Sequence, residues 1–380
     1  MQKQEIRTIA EKKRIAGAII DEMIGREYFL LLGHENPDTD CIASLASFGL
    51  LLRKLDKQAV IYLAGPVQEQ FNYLLAICRY NGIVTVYGDG TVPGEIDTLV
   101  ILDTPKPEMI AANTAVRALL ADPSIRKIEV DHHLEGDAVY TGDRNCSLVS
   151  EASSTCEHIG YICYKMSRRP DLGKIDFFSR NVALAILTGI VGDSGMGKYL
   201  KSDRERRYYQ IFSTMFDQLL VEKTYKNSGN LASISAVFDV LKRFSVQERA
   251  CFDRICGQRW GGKNLLAVSL DRNESADIQR IYGEDLLVNI SRTVADTLAE
   301  ESGKLGIVAY YNHSSTPGFV QFRLRRSSGY SGLDLRQVIG DLGISNGGGH
   351  PGAVAFRLPE AEVADIRKIT GEFARKIESL

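Results

Sequence analysis

Short apolar runs alternate with longer amphipathic segments along the first third of the chain. An amphipathic helix is predicted over about residues 4–24, ahead of the first apolar run. Short β-branched runs separated by helical patterns of this length predict a parallel α/β sheet. The predicted strands are 28–32, 59–63, 83–87, 99–102 and 128–130, and the predicted helices are about 41–55, 68–79, 107–121, 155–167 and 177–189.

A second set of elements begins near residue 264, after a stretch of charged helical pattern. It comprises predicted strands at 265–270, 305–311 and 319–326 and a helix at about 284–298. We therefore predict a parallel-sheet N-terminal domain at 1–215, a helical connection at 216–258 and a smaller α/β domain at 259–380. The two domains are expected to face each other across a cleft.

The composition is that of an ordinary globular protein. The 380 residues are 44% hydrophobic and 25% charged, which is enough apolar material for two cores. No apolar run approaches the ~20 residues that span a bilayer, and the charged N-terminus has no signal core. We expect a cytoplasmic protein with no membrane partner. The seven cysteines form no CxxC pair, which argues against a zinc knuckle or a disulfide framework.

Acidic and imidazole side chains follow four of the apolar runs. In an open parallel sheet, residues beyond the carboxyl ends of the strands share one edge, so we expect these side chains to converge. The alternative for the first motif, GHENPDTD, is a polar turn in which Asp40 caps the next helix. The side chains in question are His34, Asp38 and Asp40, then Asp103, then Asp131, His132 and His133, and finally Asp193.

The predicted second domain carries two further motifs that suit an anion. In FVQFRLRR, Arg325 and Arg326 reach the strand end, where guanidinium groups can bind phosphate bidentately. The alternative is a strand edge protected by solvated charges. Consecutive glycines let backbone amides approach an anion closely, and a flexible loop is the alternative here. This second motif consists of Gly347, Gly348, Gly349 and His350.

Taken in order, HENPDTD, the Asp-His-His of residues 131–133 and GGGH at 347–350 resemble the DHH phosphoesterase family. The resemblance is to the branch of RecJ and the nanoRNases, which carries a C-terminal DHH-associated domain. It implies that residues 1–215 form a catalytic domain with a dinuclear metal site and that residues 259–380 bind substrate. It also implies that the chain can form a homodimer.

The resemblance implies roles for individual residues. Asp103 would bridge two divalent ions, with His34 and Asp38 on one ion and with Asp40, His132 and Asp193 on the other. His133 would face the substrate phosphate, and Asp131 would orient its neighbours. The rest of the substrate would be bound by Arg325, Arg326 and the segment Gly347, Gly348, Gly349 and His350, which is expected to be a loop.

Carboxylate and imidazole donors without thiolates suit manganese, with magnesium, cobalt or iron left open. Two such ions can lower the pKa of a shared water for in-line attack on phosphorus, and His133 could protonate the leaving oxygen. With 46 basic and 48 acidic residues, the chain lacks the basic footprint of proteins that grip long nucleic acids. We therefore predict a metal-dependent phosphoesterase for short oligoribonucleotides, dinucleotides or pAp. The alternatives are a manganese-dependent pyrophosphatase or exopolyphosphatase, and a non-catalytic nucleotide sensor.

Overall fold

The computed structural model describes residues 2–134, 138–198, 200, 202–225, 229–312, 318–344 and 346–378, except the side chains of His350 and Glu378. The chain divides into two compact units, Met1–Arg243 and Phe244–Leu380. This division falls inside the predicted connection at 216–258. The assignment of a catalytic domain to 1–215 and of a substrate-binding domain to 259–380 remains a prediction. Within the described ranges, none of the helices combines the length and the apolar character that a membrane span requires.

The N-terminal unit is built on a six-stranded parallel sheet, as the alternating pattern predicts. The spatial order of its strands is β3-β2-β1-β4-β5-β6. The strands are β1 Tyr28–Leu32, β2 Gln58–Leu63, β3 Val84–Tyr87, β4 Thr98–Leu102, β5 Arg126–Asp131 and β6 Ser147–Val149. The helices are α1 Ile9–Gly25, α2 Thr39–Lys54, α3 Asn72–Tyr80, α4 Thr114–Ala121, α5 Thr155–Met166, α6 Arg180–Ser194, α7 Asp203–Lys223 and α8 Ile234–Leu241.

Strand β1 lies inside this sheet and is apolar on both faces. Phe29 and Leu31 belong to the core beneath α2, α5 and α6, whereas Leu30 and Leu32 belong to the core on the opposite face. This is why the run reads as continuously apolar rather than alternating. The chain moves from β1 outward to β3 and then returns to the other side of β1 with β4. The ends of β1 and β4 therefore form a topological switch point, where open α/β sheets bind ligands.

Three predicted elements of this unit need correction. Helix α1 begins at Ile9 and not near residue 4, because the Thr8 side chain caps it. The helix predicted at 107–121 begins only at Thr114, where Asn113 provides the cap. The last predicted helix continues past residue 189 to Ser194. Strand β6 was not predicted, since three residues give too short a pattern.

The C-terminal unit has a six-stranded mixed sheet in the order β11-β12-β10-β9-β8-β7. The pairings are antiparallel except that of β8 with β9. The strands are β7 Trp260–Gly262, β8 Leu265–Ser269, β9 Leu305–Asn312, β10 Phe319–Arg326, β11 Gly347–His350 and β12 Ala353–Pro359. The helices are α9 Val246–Cys256, α10 Arg272–Tyr282, α11 Glu284–Ser302, α12 Leu335–Asp341 and α13 Ile366–Glu378.

Strand β10 has one apolar face, because Val320, Phe322 and Leu324 share one core with α12 and α13. The expected GGGH loop is wrong. Gly347–His350 is strand β11 at the edge of the sheet, and each of its residues pairs with β12. The glycines do not prevent strand formation, because each residue of β11 has a pairing partner in β12.

Candidate metal centre

The structure brings the six predicted metal ligands together at the carboxyl edge of the N-terminal sheet. Asp103 directly follows β4, His132 directly follows β5, and Asp193 lies in the last turn of α6. The His132 Nε2 atom is 3.5 Å from Asp103 Oδ1 and 3.6 Å from Asp193 Oδ2. Asp40 belongs to the same cluster as His132 and Asp193. The convergence predicted from four separate runs is therefore present.

Asp103 lies between two groups of side chains. Its Oδ1 atom faces His132, whereas its Oδ2 atom is 3.9 Å from Nε2 of His34. Asp103 is 1% exposed, and its backbone adopts a φ of 50°, which is rare for a residue other than glycine. Such strain is found where the surrounding structure fixes a functional side chain. A single carboxylate is thus presented to two imidazoles at once.

The motif after β1 provides one carboxylate at the N-cap of α2 and another in its first turn. Asp38, and not Asp40, caps α2 by accepting from the Cys41 N–H, which corrects the turn interpretation. The Oδ1 atom of Asp38 is 3.8 Å from His34 Nε2. Asp40 occupies the first turn of α2 and is buried. The motif therefore places one carboxylate at the surface and one in the interior.

The first residues of α5 donate hydrogen bonds to two buried carboxylates, those of Asp40 and Asp103. Asp40 accepts hydrogen bonds from the backbone N–H groups of Thr155 and Cys156, at 2.6 and 3.1 Å. The Thr155 hydroxyl donates to Oδ1 of Asp103 at 3.0 Å. Free N–H groups at a helix N-terminus stabilise negative charge. The start of α5 thereby orients two predicted ligands that lie far apart in the sequence.

Hydrogen bonds fix the orientation of the two neighbouring histidines. His132 Nδ1 lies 3.2 Å from the carbonyl oxygen of Ala152, which can only accept, so Nδ1 carries the proton. Its Nε2 atom then faces the carboxylates of Asp103 and Asp193. His133 Nδ1 donates to Asp131 Oδ1 at 2.8 Å, and its ring is 40% exposed. The Nε2 of His133 is left for a molecule outside the cluster.

Both oxygens of Asp131 are already used. Oδ1 accepts from His133, and Oδ2 pairs with the ammonium of Lys3 at 2.5 Å. Although burial opposes it, the His133 hydrogen bond and the positive charge of Lys3 lower the pKa of Asp131. Asp131 therefore suits the orienting role implied by the sequence better than that of a ligand.

The thiol of Cys41 lies at this centre, where it groups with His34 and Asp103. Burial and the nearby carboxylates raise the pKa of its thiol well above the usual value. A neutral buried thiol is a poor nucleophile and a poor ligand. The surroundings of Cys41 therefore argue against a catalytic role for this thiol.

The donor set fits divalent cations. Two ligand atoms at about 2.1 Å from one small cation are roughly 3 to 3.7 Å apart, which is close to the separations of 3.5 to 3.9 Å found between imidazoles and carboxylates here. These separations are too long for hydrogen bonds. Oxygen and imidazole donors together favour manganese or a similar ion over calcium or copper(I). The identity of the metal remains a proposal.

Crowding of negative charge predicts that metal binding depends on pH. Burial and the charges of Asp103 and Asp193 raise the pKa of Asp40 well above its usual value. Burial, opposed by His132 but reinforced by Asp103, raises the pKa of Asp193 to about 6. A cation must displace these protons, so its affinity falls as the pH drops.

We expect the dissociation constant for Mn²⁺, measured by titration calorimetry, to be at least roughly tenfold larger at pH 5.5 than at pH 7.5, because each displaced proton changes affinity by about tenfold per pH unit. Proton release should accompany binding in this range. Equal affinities at the two pH values would contradict this ligand set.

A glycine in α6 makes room for Asp40. A Cβ atom at Gly189 would lie 2.5 Å from Asp40 Oδ1 and would also overlap the side chain of Cys156. We expect Gly189→Ala to destabilise the protein by about 1–3 kcal/mol, as overpacking of a core does, and to weaken Mn²⁺ binding.

Gly17→Ala is the matched control, since Gly17 is also inside a helix but has open space around its Cα. That change should be neutral or stabilise the protein by about 0.4–1 kcal/mol. Thermal denaturation and Mn²⁺ titration of both variants provide the measurement. A Gly189→Ala protein as stable as the control would show that this close approach is unimportant.

The predicted substrate residues lie in the C-terminal unit. Arg325 donates to the carbonyl oxygens of Leu324 and Val354 and has its Nε atom 3.5 Å from Asp296 Oδ1. Arg326 donates to the carbonyl oxygen of Leu333. Neighbouring residues of a strand point to opposite faces, so the two guanidinium groups are on different sides of the sheet.

Register links one of these arginines to the GGGH segment. Arg325 pairs with Ala353, which in turn pairs with His350. Gly348 is in the same way related through Ala355 to Arg323, whose Nη2 is 3.2 Å from the Tyr310 hydroxyl. The side chain of His350 lies outside the described part of the structure. The register therefore favours Arg325 over Arg326 as the partner of this segment.

Two contributors to the centre were not predicted from the sequence. Thr155 had a usable signal, because Ser154 and Glu157 follow the S-x-x-E spacing of a helix start. Lys3 had none, since a lysine in a charged N-terminal segment resembles an ordinary solvated side chain. Its ammonium is instead fully buried against Glu129 and Asp131.

Residues 29–190 match the family model described as the DHH family, N-terminal domain. Residues 29–190 therefore form a domain of the DHH family. The matched range contains Asp38, Asp40, Asp103 and His132, and ends just before Asp193. This domain belongs to a family of phosphoesterases, so the protein is classed with the hydrolases of phosphoester bonds. A search of curated proteins gives no match.

Solved structures with similar folds include an exopolyphosphatase-related protein from Bacteroides fragilis. The two chains are 16% identical with a TM-score of 0.57, over 99% of this chain and 98% of that one. At this identity the likeness shows a shared fold and not a shared activity.

Two further matches are weaker. RecJ of Thermus thermophilus in complex with Mn²⁺ is 14% identical with a TM-score of 0.45, over 98% of this chain and 56% of that one. A pGpG-specific phosphodiesterase of Vibrio cholerae is 15% identical with a TM-score of 0.36, over 93% and 99% of the two chains. These scores are too low to support an argument.

Proposed function

We propose that this protein is a phosphodiesterase that uses two divalent cations, with manganese as the preferred metal, to hydrolyse short oligoribonucleotides, dinucleotides or pAp-like nucleotides. The proposed ligands are His34, Asp38, Asp40, Asp103, His132 and Asp193. A cytoplasmic location remains part of the proposal on the sequence alone.

One observation carries the proposal. The two carboxylate oxygens of Asp103 face different imidazoles, those of His34 and His132, and a further carboxylate stands beside each imidazole. A bridging carboxylate between two ligand groups is the arrangement that a dinuclear centre requires. When bound, a pair of divalent cations lowers the pKa of a water molecule and offsets the charge that develops during in-line attack at phosphorus.

The surrounding residues support hydrolysis. His133, held at Nδ1 by Asp131, offers Nε2 to a phosphoryl oxygen or to the leaving oxygen. The hydrogen bonds from α5 to Asp40 and Asp103 keep these carboxylates in place before substrate arrives. Such preorganisation lowers the cost of reaching the transition state.

The proposed size of the substrate follows from charge. The chain has a formal net charge of −2, so long nucleic acids find little to neutralise their phosphates. A substrate of a few nucleotides needs only local positive charge. The arginines of β10 are proposed to provide it, with Arg325, Arg326, Gly347, Gly348, Gly349 and His350 as the substrate-binding set.

Hydrolysis of a small substrate panel tests the proposal. The panel is an RNA dinucleotide, a five-nucleotide RNA, pAp, a cyclic dinucleotide and pyrophosphate, each assayed with Mn²⁺ and with a chelator. Metal-dependent release of mononucleotides from the short RNAs or of phosphate from pAp is expected. Cleavage of pyrophosphate alone would instead identify a pyrophosphatase, and nucleotide binding without turnover under any metal would identify a sensor.

A further inference from the structure

The ammonium group of Lys3 is buried beside the metal centre and is surrounded by three oxygen atoms. It donates to the carbonyl oxygen of Thr104 at 2.7 Å and pairs with Asp131 Oδ2 at 2.5 Å and with Glu129 Oε1 at 2.9 Å. The side chain has no solvent exposure. A lysine has three N–H donors, and here two of them form hydrogen bonds while the ammonium also forms an ion pair with Glu129.

These acceptors belong to two separate segments that carry proposed site residues. Thr104 directly follows Asp103, the strained residue at the end of β4. Asp131 directly precedes His132 and positions His133. The buried ammonium of Lys3 therefore connects the end of β4 to the end of β5. Three of the proposed site residues, Asp103, His132 and His133, directly follow these strands.

Backbone contacts place Lys3 at this point. The Lys3 N–H donates to the carbonyl oxygen of Ala138, and Gln2 forms a bridge with Val139. Further along, the Ile6 N–H donates to the carbonyl oxygen of Val149 at the end of β6. Residues 2–6 are thus held against residues 138–139 and the end of β6. From this segment the side chain of Lys3 extends into the interior.

The chemistry explains why a cation is required there. Glu129 and Asp131 are both fully buried, and two uncompensated carboxylates in the interior are strongly unfavourable. Glu129 Oε2 is occupied by the N–H groups of Thr141 and Gly142, which leaves Oε1 for the lysine. Lys3 also contacts Oδ2 of Asp131, whereas His133 contacts Oδ1, so the two partners together fix the orientation of this carboxylate.

We propose that Lys3 is a positioning residue of the metal centre, which fixes the ends of β4 and β5 and thereby the geometry of Asp103, His132 and His133. This inference rests on the proposed metal site. The positioning role and a simple effect of charge predict opposite changes in cation affinity when Lys3 is replaced. Removing a positive charge near the site would by charge alone strengthen cation binding, whereas loss of positioning weakens it.

The test compares Lys3→Met, the double variant Lys3→Met/Glu129→Gln and the control Lys12→Met. The double variant removes one buried charge of each sign, so the net charge near the site is unchanged. Lys12 is a partly buried lysine of α1 whose ammonium lies 3.4 Å from His158 Nδ1. The measurements are the urea midpoint of the metal-free protein and the Mn²⁺ dissociation constant from calorimetry.

Lys3→Met is expected to lower the urea midpoint and to weaken Mn²⁺ binding by about 10- to 100-fold, as changes behind metal ligands do. The double variant should recover much of the midpoint but keep the weakened binding, and Lys12→Met should bind Mn²⁺ as the wild type does. If Lys3→Met does not fold, the double variant decides the question. Wild-type affinity in the double variant would overturn the role of Lys3, whereas a wild-type protein that binds no Mn²⁺ would instead overturn the proposed metal site.

Discussion

Replacing Asp103 with asparagine is expected to reduce metal-dependent turnover by roughly 10³-fold or more, because a metal centre contributes several kcal/mol of transition-state stabilisation. The amide retains the shape of the side chain but removes the charge that both imidazole groups share. Asparagine tolerates a left-handed backbone, so the φ of 50° at this position should not cause misfolding. The measurement is kcat in the presence of saturating Mn²⁺.

Asp56→Asn is the matched control for this variant. Asp56 also has a left-handed backbone, with a φ of 60°, but it is exposed in the turn after α2. The same substitution there should leave turnover unchanged. A loss smaller than roughly tenfold in Asp103→Asn, with the control unaffected, would show that Asp103 does not join the two ligand groups.

His133→Gln is expected to lower kcat by about 10²- to 10⁴-fold, the usual contribution of a proton-transfer group, while Mn²⁺ binding is kept. The reason lies in the position of His133, whose Nδ1 is taken by Asp131 and whose ring is 40% exposed. Its remaining nitrogen can therefore reach a substrate phosphate. The measurements are kcat and the number of Mn²⁺ ions bound per chain.

The same variant distinguishes substrate contact from metal ligation. His133 Nδ1 is only 3.7 Å from Asp103 Oδ1, so the ring lies close to the cluster. If His133→Gln lost a bound Mn²⁺ ion, the residue would be a ligand and the proposed role would be wrong. Retained binding with unchanged kcat would remove His133 from the mechanism altogether.

The sequence predicted the position of the centre because the ligands follow buried strands. Asp103 and His132 come directly after β4 and β5, and the geometry of a parallel sheet places such positions together. Asp193 was also found, although it lies within α6 and not in a turn after it. The apolar run before Asp193 ends at this residue wherever the helix itself ends. The wrong helix end predicted at residue 189 therefore did not affect the choice of Asp193 as a ligand.

The supporting contacts were not predictable in the same way. Lys3 reaches the centre only because residues 2–6 pair with segments more than a hundred positions away, and no local pattern encodes that pairing. The role of Gly189 depends on how closely α6 packs on α2, which periodicity does not determine. In the C-terminal unit, the segment GGGH was expected to be a loop, but it is a strand that pairs with β12 although glycine weakens strands.

The central claim is that this chain hydrolyses short nucleotides through a centre of two cations. The most direct test is the initial rate of RNA dinucleotide hydrolysis as a function of free Mn²⁺ concentration. We predict no turnover in the presence of a chelator and, at low concentrations, a rate that rises with the second power of free Mn²⁺. Turnover that persists at full rate in the chelator, or the absence of turnover at every Mn²⁺ concentration, would contradict this account.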